Sequence, residues 1–250
     1  MFILGDIGNT EIKIFIINNS YKVKKKIILK TNILNEKYLI SKLSFLKEKN
    51  YYGKFNKVLF SSVVPNAFIK IKKILIRKFK IISVLELKKI NLKKLINIKV
   101  NRKQVGSDRI ANALGIINKK NNFIIIDFGT ATTFDVVVKN TYLGGVIAPG
   151  VNLSLKNLTS KASLIPPINL TKVKNVIGKN TLEAVKSGFY WGYLGLIDNI
   201  IYLIKKQTSR KYKIILTGGF AHLFKDRIQY KSIVKKDLTI IGLIKTIKKN

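Results

Sequence analysis

Asp6-Ile7-Gly8-Asn9-Thr10 near the N-terminus and Asp127-Phe128-Gly129-Thr130-Ala131-Thr132-Thr133 about half a chain later are two versions of one motif. The first lies between the apolar stretches Phe2–Leu4 and Ile12–Ile17, the second between Phe123–Ile126 and Phe134–Val138. Each reads as an apolar strand, an Asp-x-Gly turn carrying hydroxyl or amide residues, and a second apolar strand. Gly8 and Gly129 have no Cβ, so backbone N–H groups there can come close to an anion. Thr10, Thr130 and Thr132 add hydroxyl donors and Asn9 an amide. Asp6 and Asp127 are poorly suited to touching phosphate, but suit a cation or a water that bridges to it. Either copy alone reads equally well as an ordinary hairpin turn. The repetition with matching flanks implies two related halves whose turns face each other across a cleft and hold the phosphates of one nucleotide.

Working outward, 250 residues suffice for one large or two modest domains, and the repeat favours two. A hydrophobic content of 47% excludes wholesale disorder. Met1-Phe2-Ile3-Leu4 runs straight into Gly5-Asp6 without the basic and apolar regions of a secretory signal, and no uncharged apolar stretch reaches about 18 residues. With no cysteine, disulfides, thiolate metal sites and cysteine nucleophiles are excluded. The expectation is a cytoplasmic protein without a membrane span. The net charge of +36 would attract polyanions. However, Lys, Ile and Asn are abundant throughout, as an AT-rich coding bias produces, and the lysines are scattered among apolar residues rather than gathered in a tail. Aromatic residues do not alternate with them as in a stacking platform, so nucleic acid is not an expected partner.

The pattern along the chain predicts a hairpin over 2–17, a strand over 22–29, a helix over 35–49, a strand over 57–61 and a helix from the Ser61–Pro65 loop to about Lys78. A strand over 80–84, a weakly patterned connector over 88–104 and a helix over 105–117 follow. Strands over 123–127, 134–138 and 141–146 then repeat the opening. Helices are expected over 152–158 and from Thr181 to about Lys205, a strand over 213–217, and a final helix over 237–248. Strands first, then helix and strand, in each half, is an α/β arrangement with an internal duplication. The polar stretch Asn118-Lys119-Lys120-Asn121-Asn122 marks the boundary, giving domains 1–118 and 119–250.

Further constellations carry chemistry. Gly106-Ser107-Asp108-Arg109 opens the central helix, where an Asp can accept a hydroxyl proton and an Arg can pair with a carboxylate or phosphate. A capping acid with a surface ion pair is the plainer reading. Gly144-Gly145-Val146-Ile147-Ala148-Pro149-Gly150 is rich in turn formers and reads as a loop approaching a ligand or a tight turn before a helix. Thr217-Gly218-Gly219-Phe220-Ala221 fits either a strand–helix corner or a surface for a nucleoside. Thr181 reads as a helix N-cap or a hydroxyl lining a substrate pocket. His222 is the only histidine, which excludes a histidine-cluster metal site, and neither a Walker A sequence nor G-x-G-x-x-G is present.

Taken in order, Asp6–Thr10, Ser62–Pro65, Gly106–Arg109 with Asn112, Asp127–Thr133 with Asp135, Gly144–Gly150 and Thr217–Ala221 resemble the type III pantothenate kinases over the whole chain. That resemblance implies two ribonuclease H-like, actin-like ATPase domains related by duplication, with nucleotide in the cleft between them, and a homodimer. It implies ATP-dependent phosphorylation of pantothenate to 4′-phosphopantothenate, the first step of coenzyme A biosynthesis, with Mg2+ and with K+ or NH4+. By the same resemblance Asp6-Ile7-Gly8-Asn9-Thr10-Glu11-Ile12-Lys13 forms the first ATP-phosphate loop, Asp6 is a candidate divalent-cation ligand, and Thr130 contacts ATP phosphates. Asp108 is the general base on the pantothenate hydroxyl, Gly106, Ser107, Asp108, Arg109 and Thr181 contact pantothenate, and Asp127 holds the monovalent cation. The chain departs from the family where a Tyr and an Asn-Pro pair usually precede the Gly-x-Asp-Arg motif. Lys99 stands in place of the Tyr and Arg102 in place of the Pro, which removes an aromatic wall and adds positive charge to the substrate pocket. The alternatives are a non-catalytic regulator with the same fold and a kinase for another small acceptor.

Overall fold

Two-residue alternation folds the opening segment as a hairpin. β1 (Phe2–Ile7) and β2 (Glu11–Ile17) pair antiparallel, with Ile7 opposite Ile12 and Asp6 opposite Lys13, and β3 (Val23–Lys30) adds antiparallel to β2. In the computed structural model, which describes residues 1–249, the chain then passes through α1 (Glu36–Leu43) and returns as β4 (Lys57–Ser62) parallel to β1. α2 (Pro65–Phe79) has proline in its first turn, where the missing N–H costs nothing, and stops at Lys80 in the left-handed region (φ 53°). β5 (Leu85–Glu86) closes a five-stranded sheet of order β3-β2-β1-β4-β5. The expected strand at 80–84 is absent. After the left-handed turn, Ile81 and Val84 drop into the core as a connection, and pairing with β4 begins only at Leu85.

The sheet's two faces are buried differently. Ile3, Ile7, Ile12, Ile14, Val58 and Phe60 form one core with Leu39 and Leu43 of α1 and Ile71 and Leu75 of α2. The other face takes α3 (Ser107–Ile116), reached through the two-residue strand β6 (Asn97–Ile98), and α7 (Leu238–Lys249). These two helices touch at glycines. A Cβ on Gly115 would lie 2.7 Å from Leu238 Cδ1, and one on Gly242 would overlap the Ala111 carbonyl. Between them the Thr239 hydroxyl donates to buried Asn112 Oδ1 at 3.0 Å.

The second unit repeats the plan. β7 (Asn122–Phe128), β8 (Ala131–Val138) and β9 (Thr141–Pro149) run antiparallel in sequence. β10 (Lys213–Gly218) lies parallel to β7 and β11 (Ser232–Val234) parallel to β10. Five strands of the six-stranded second sheet, in the order β9-β8-β7-β10-β11, match β3-β2-β1-β4-β5 strand for strand. Ile124, Ile126, Phe134, Ile214 and Leu216 form its core with Val151 of α4 (Val151–Lys161), Tyr190, Leu194, Ile197 and Ile201 of α5 (Thr181–Thr208) and Phe224 of α6 (Ala221–Phe224).

The chain divides after Ile116, close to the polar stretch chosen from sequence, but the last helix does not stay with the second half. The second unit is Ile117–Asp237, and the segment from Leu238 belongs to the first. The domain expected over 119–250 therefore ends at Asp237. The buried face of α7 (Leu238, Ile240, Leu243, Ile247) is matched by α3 and by the Gly115–Gly242 approach. The strand expected over 141–146 runs on through Ile147–Pro149, where the sequence predicts a turn or loop before the next helix, and stays opposite β8, with Gly144 at φ 120° next to a register shift. Eight residue pairs between β8 and β9 outweigh the turn preference of the β9 glycines.

Candidate active site

At the end of β1, Asp6 has Ser61 as its parallel neighbour on β4 and Lys13 as its antiparallel partner on β2, all three on one face of the sheet. Ser61 is fully buried, and its hydroxyl has no hydrogen-bond partner among the described residues. The turn between the strands is anchored by buried Ile7 and Ile12, while Asn9, Thr10 and Glu11 are exposed. Gly8 N–H donates to the Glu11 carbonyl at 2.9 Å. Thr31, just past β3, braces the turn from behind: its hydroxyl donates to the Gly8 carbonyl at 2.8 Å and its N–H to the Thr10 carbonyl at 3.0 Å. Two carbonyl oxygens that would repel a phosphate are thereby engaged. Sequence reasoning missed Thr31, since a lone Thr after a strand carries no signal of a contact 21–23 residues back.

In the same unit, Gly106–Arg109 forms the first turn of α3. Asp108 Oδ1 accepts the Arg109 N–H at 2.8 Å, and a Cβ on Gly106 would overlap that oxygen, so glycine clears the space that the carboxylate occupies. Burial pushes the Asp108 carboxyl above the ordinary aspartate range, while the Arg109 N–H and guanidinium, and more weakly Lys88, pull it back. A carboxylate so raised is a stronger proton acceptor than an exposed one. Buried Ser107 donates its hydroxyl to Glu86 Oε1 at 2.7 Å. Lys99, just past β6, is exposed, whereas Arg102 turns its guanidinium to the carbonyls of Lys88 (3.0 Å) and Ile90 (2.6 Å). The charge expected in the pocket from Arg102 is thus engaged with backbone. Glu86 too went unnoticed in sequence, where it is one acid before a lysine-rich run.

In the second unit, Asp127 ends β7 with Thr133 of β8 on one side and Thr217 of β10 on the other. The Asp–hydroxyl arrangement of the first turn therefore recurs, with threonine in place of Lys13. Gly129 N–H donates to the Ala131 carbonyl at 3.1 Å, and Thr130 is exposed at the tip of the turn. Gly150 closes against the Thr130 carbonyl, where a Cβ would overlap it. Gly218 has φ 87°, and a Cβ there would meet both Asp127 Oδ1 and the Phe128 backbone at 2.6 Å. Asp135, on the Asp127 face and fully buried, accepts the Tyr142 hydroxyl at 2.6 Å. Thr181 is the first residue of α5 rather than its cap. Asn180 caps the helix through Glu183 N–H at 2.9 Å, and Glu183 returns a bond to Lys179 N–H at 2.8 Å. The exposed Thr181 hydroxyl is thus relieved of capping. His222 is exposed on α6.

The candidates thus form two local groups. Asp6–Lys13 and Gly106–Arg109 lie in the first unit, and Asp127, Thr130 and Thr181 lie in the second. Among the described residues no three His, Cys, Asp or Glu side chains are grouped as a metal cage. The model of the type III pantothenate kinase family matches residues 2–202. The chain belongs to that family. A type III pantothenate kinase from Pelagibacter ubique (strain HTCC1062) is 58% identical over 245 residues, covering 98% of each chain. A solved Campylobacter jejuni protein described as a Baf family transcriptional activator has a TM-score of 0.62 at 22% identity, covering 99% of this chain and 98% of its own. The activator of the 2-hydroxyisocaproyl-CoA dehydratase from Clostridium difficile, solved with ADPNP, has a TM-score of 0.54 at 12% identity, covering 98% and 91%. These two likenesses are of fold, the duplicated ribonuclease H-like architecture of actin-like ATPases and sugar kinases. In this pantothenate kinase family member the two Asp-x-Gly turns sit at equivalent positions of two equivalent sheets.

Proposed function

We propose that the protein transfers the γ-phosphoryl group of ATP to the 4′-hydroxyl of pantothenate, the first step of coenzyme A biosynthesis. The single observation that carries this reading is the membership of nearly the full chain in the type III pantothenate kinase family, at 58% identity to a curated member. In this assignment Asp108 accepts the proton of the pantothenate hydroxyl as that oxygen attacks phosphorus. Arg109 pairs with the substrate carboxylate, Gly106 and Ser107 line the same turn, and exposed Thr181 adds a hydroxyl contact. Asp6–Lys13 takes ATP phosphates, with Lys13 neutralising charge beside Asp6, and Thr130 contacts ATP phosphates as well. Positioning and charge neutralisation supply most of phosphoryl-transfer catalysis, so few groups suffice.

The residues fit the expected ions. The half-buried Asp6 carboxylate suits a magnesium ion, which would bind mostly through phosphates and one or two carboxylates. Magnesium supplies charge neutralisation at the phosphates. Asp127 between two threonines offers the hard oxygen donors that K+ or NH4+ prefers. The reading includes a homodimer in the cytoplasm, with no nucleic-acid partner. Among the described residues no helix is long and apolar enough to cross a membrane. The test is Asp108→Asn, which preserves size and removes the base. Pantothenate-dependent ADP release should fall about 10²–10⁴-fold with ATP binding retained. Turnover at the parent rate would refute the assignment.

A further inference from the structure

The turn that carries Asp108 follows a connector, residues 88–104, with almost no secondary structure of its own. Something else must fix the register in which α3 begins. Two side chains do so. Glu86 is oriented by its own backbone neighbourhood, one carboxylate oxygen accepting Lys88 N–H at 2.8 Å, and this presents the other oxygen to the Ser107 hydroxyl at 2.7 Å. Ser107 is fully buried, so its hydroxyl depends on that acceptor. From the other direction Arg102 reaches back to the carbonyls of Lys88 and Ile90, and Lys88 Nζ donates to the Lys103 carbonyl at 3.1 Å. The segments 86–90 and 102–107 are laced together by charge-assisted bonds immediately before Asp108.

We propose that Glu86 and Arg102 are positioning residues for phosphoryl transfer, holding the 86–90 and 102–107 segments together so that the Asp108 carboxylate faces the acceptor hydroxyl. The proposal rests on the reading of Asp108 as the base. The carboxylate has little latitude: the Arg109 N–H holds one oxygen and Gly106 closes over it. A turn that shifts by even part of an ångström carries that oxygen off line, and misplacement of about 1 Å costs on the order of 10²-fold in rate. The lacing also keeps Lys88, whose charge acts on Asp108, on the same short turn as Glu86. The ATP-phosphate turn has its own brace in Thr31 and does not depend on this lacing.

The test compares Glu86→Gln, nearly isosteric, and Arg102→Met, which keeps the apolar stem, with the parent enzyme in MgATP, pantothenate and potassium. Each should lower kcat about tenfold or more while KM for ATP stays within about twofold, and should shift the acid limb of the pH–rate profile. Adding Glu86→Gln to Ser107→Ala should cost little beyond Ser107→Ala alone, because the bond is already absent. Parent kcat in both single variants, or fully additive losses in the double variant, would overturn the positioning role. So would a rise in KM for ATP that matches the fall in kcat. Asp108→Asn is measured alongside. If it is silent while Glu86→Gln and Arg102→Met are fully active, the positioning role alone falls. If it turns over normally, the base assignment falls and the positioning role with it.

Discussion

Alanine at Gly218 and alanine at Gly219 place the same methyl group at adjacent positions with opposite expected results. Gly218 has φ 87°, where an L-residue costs about 1–2 kcal/mol. Its Cβ would also lie 2.6 Å from Asp127 Oδ1 and from two backbone atoms of Phe128. Comfortable heavy-atom contact begins at about 3.5 Å, so strand β10 and the Asp127 end of β7 must part by nearly 1 Å. Such overpacking costs about 1–3 kcal/mol, because backbone cannot rotate out of the way. The sum, about 2–5 kcal/mol, corresponds to a fall in Tm of roughly 5–15 °C for a chain of this size. On the proposed role of Asp127 as the monovalent-cation ligand, the displaced carboxylate should also raise the K+ concentration for half-maximal turnover by about tenfold. At Gly219 no atom lies within 4 Å of the added methyl, so stability should stay within about 0.5 kcal/mol. Thermal unfolding by circular dichroism and ADP release across a potassium titration read both quantities. A Gly218→Ala protein with the parent Tm and the parent potassium curve would refute the packing argument and the role given to Asp127.

Two further outcomes follow from the geometry. Because burial raises the Asp108 carboxyl, the stability it contributes is present below the unfolded aspartate range and is lost as pH rises through the raised folded value. Asp108→Asn should therefore raise Tm relative to the parent more at pH 7 than at pH 4, while abolishing the acid limb of turnover. An unchanged Tm difference across that range would contradict the burial argument. Thr31→Val removes the hydroxyl bond to the Gly8 carbonyl and keeps the backbone bond to Thr10. It should raise KM for ATP about three- to tenfold with little change in KM for pantothenate, since one hydrogen bond is worth about 1 kcal/mol. An equal rise in both would place Thr31 outside the phosphate turn.

Much of this architecture was legible because its signals are local. The opening hairpin and its repeat at Asp127 follow from period-two apolar residues around an Asp-x-Gly turn, and α2 from a proline start and an apolar stripe. What escaped depends on partners distant in sequence. Ile81 and Val84 look like strand residues, but the left-handed Lys80 turns the chain before pairing can begin. Ile147–Pro149 read as the turn after a strand over 141–146, yet pairing along β8 carries the strand on through them. The pattern of α7 announces a buried face without saying which helix covers it, and only the Gly115–Gly242 approach assigns it to the first unit. At the site, Asp6, Asp108 and Asp127 stand out as acids in glycine turns. Thr31 and Glu86 act through hydrogen bonds across 21–23 residues, and no periodicity encodes those. Asn180 took the capping role weighed for Thr181, a one-residue shift that the Asn-x-x-Glu spacing could have revealed.

The proposed reaction is phosphorylation of pantothenate by ATP, dependent on potassium or ammonium. The most direct measurement is ADP release from MgATP with and without pantothenate, in potassium or ammonium and then in sodium. Turnover should require pantothenate and fall away in sodium. ATP binding without pantothenate-dependent turnover would contradict it and favour a regulatory protein with the kinase fold, and ATP turnover indifferent to pantothenate would point to another acceptor.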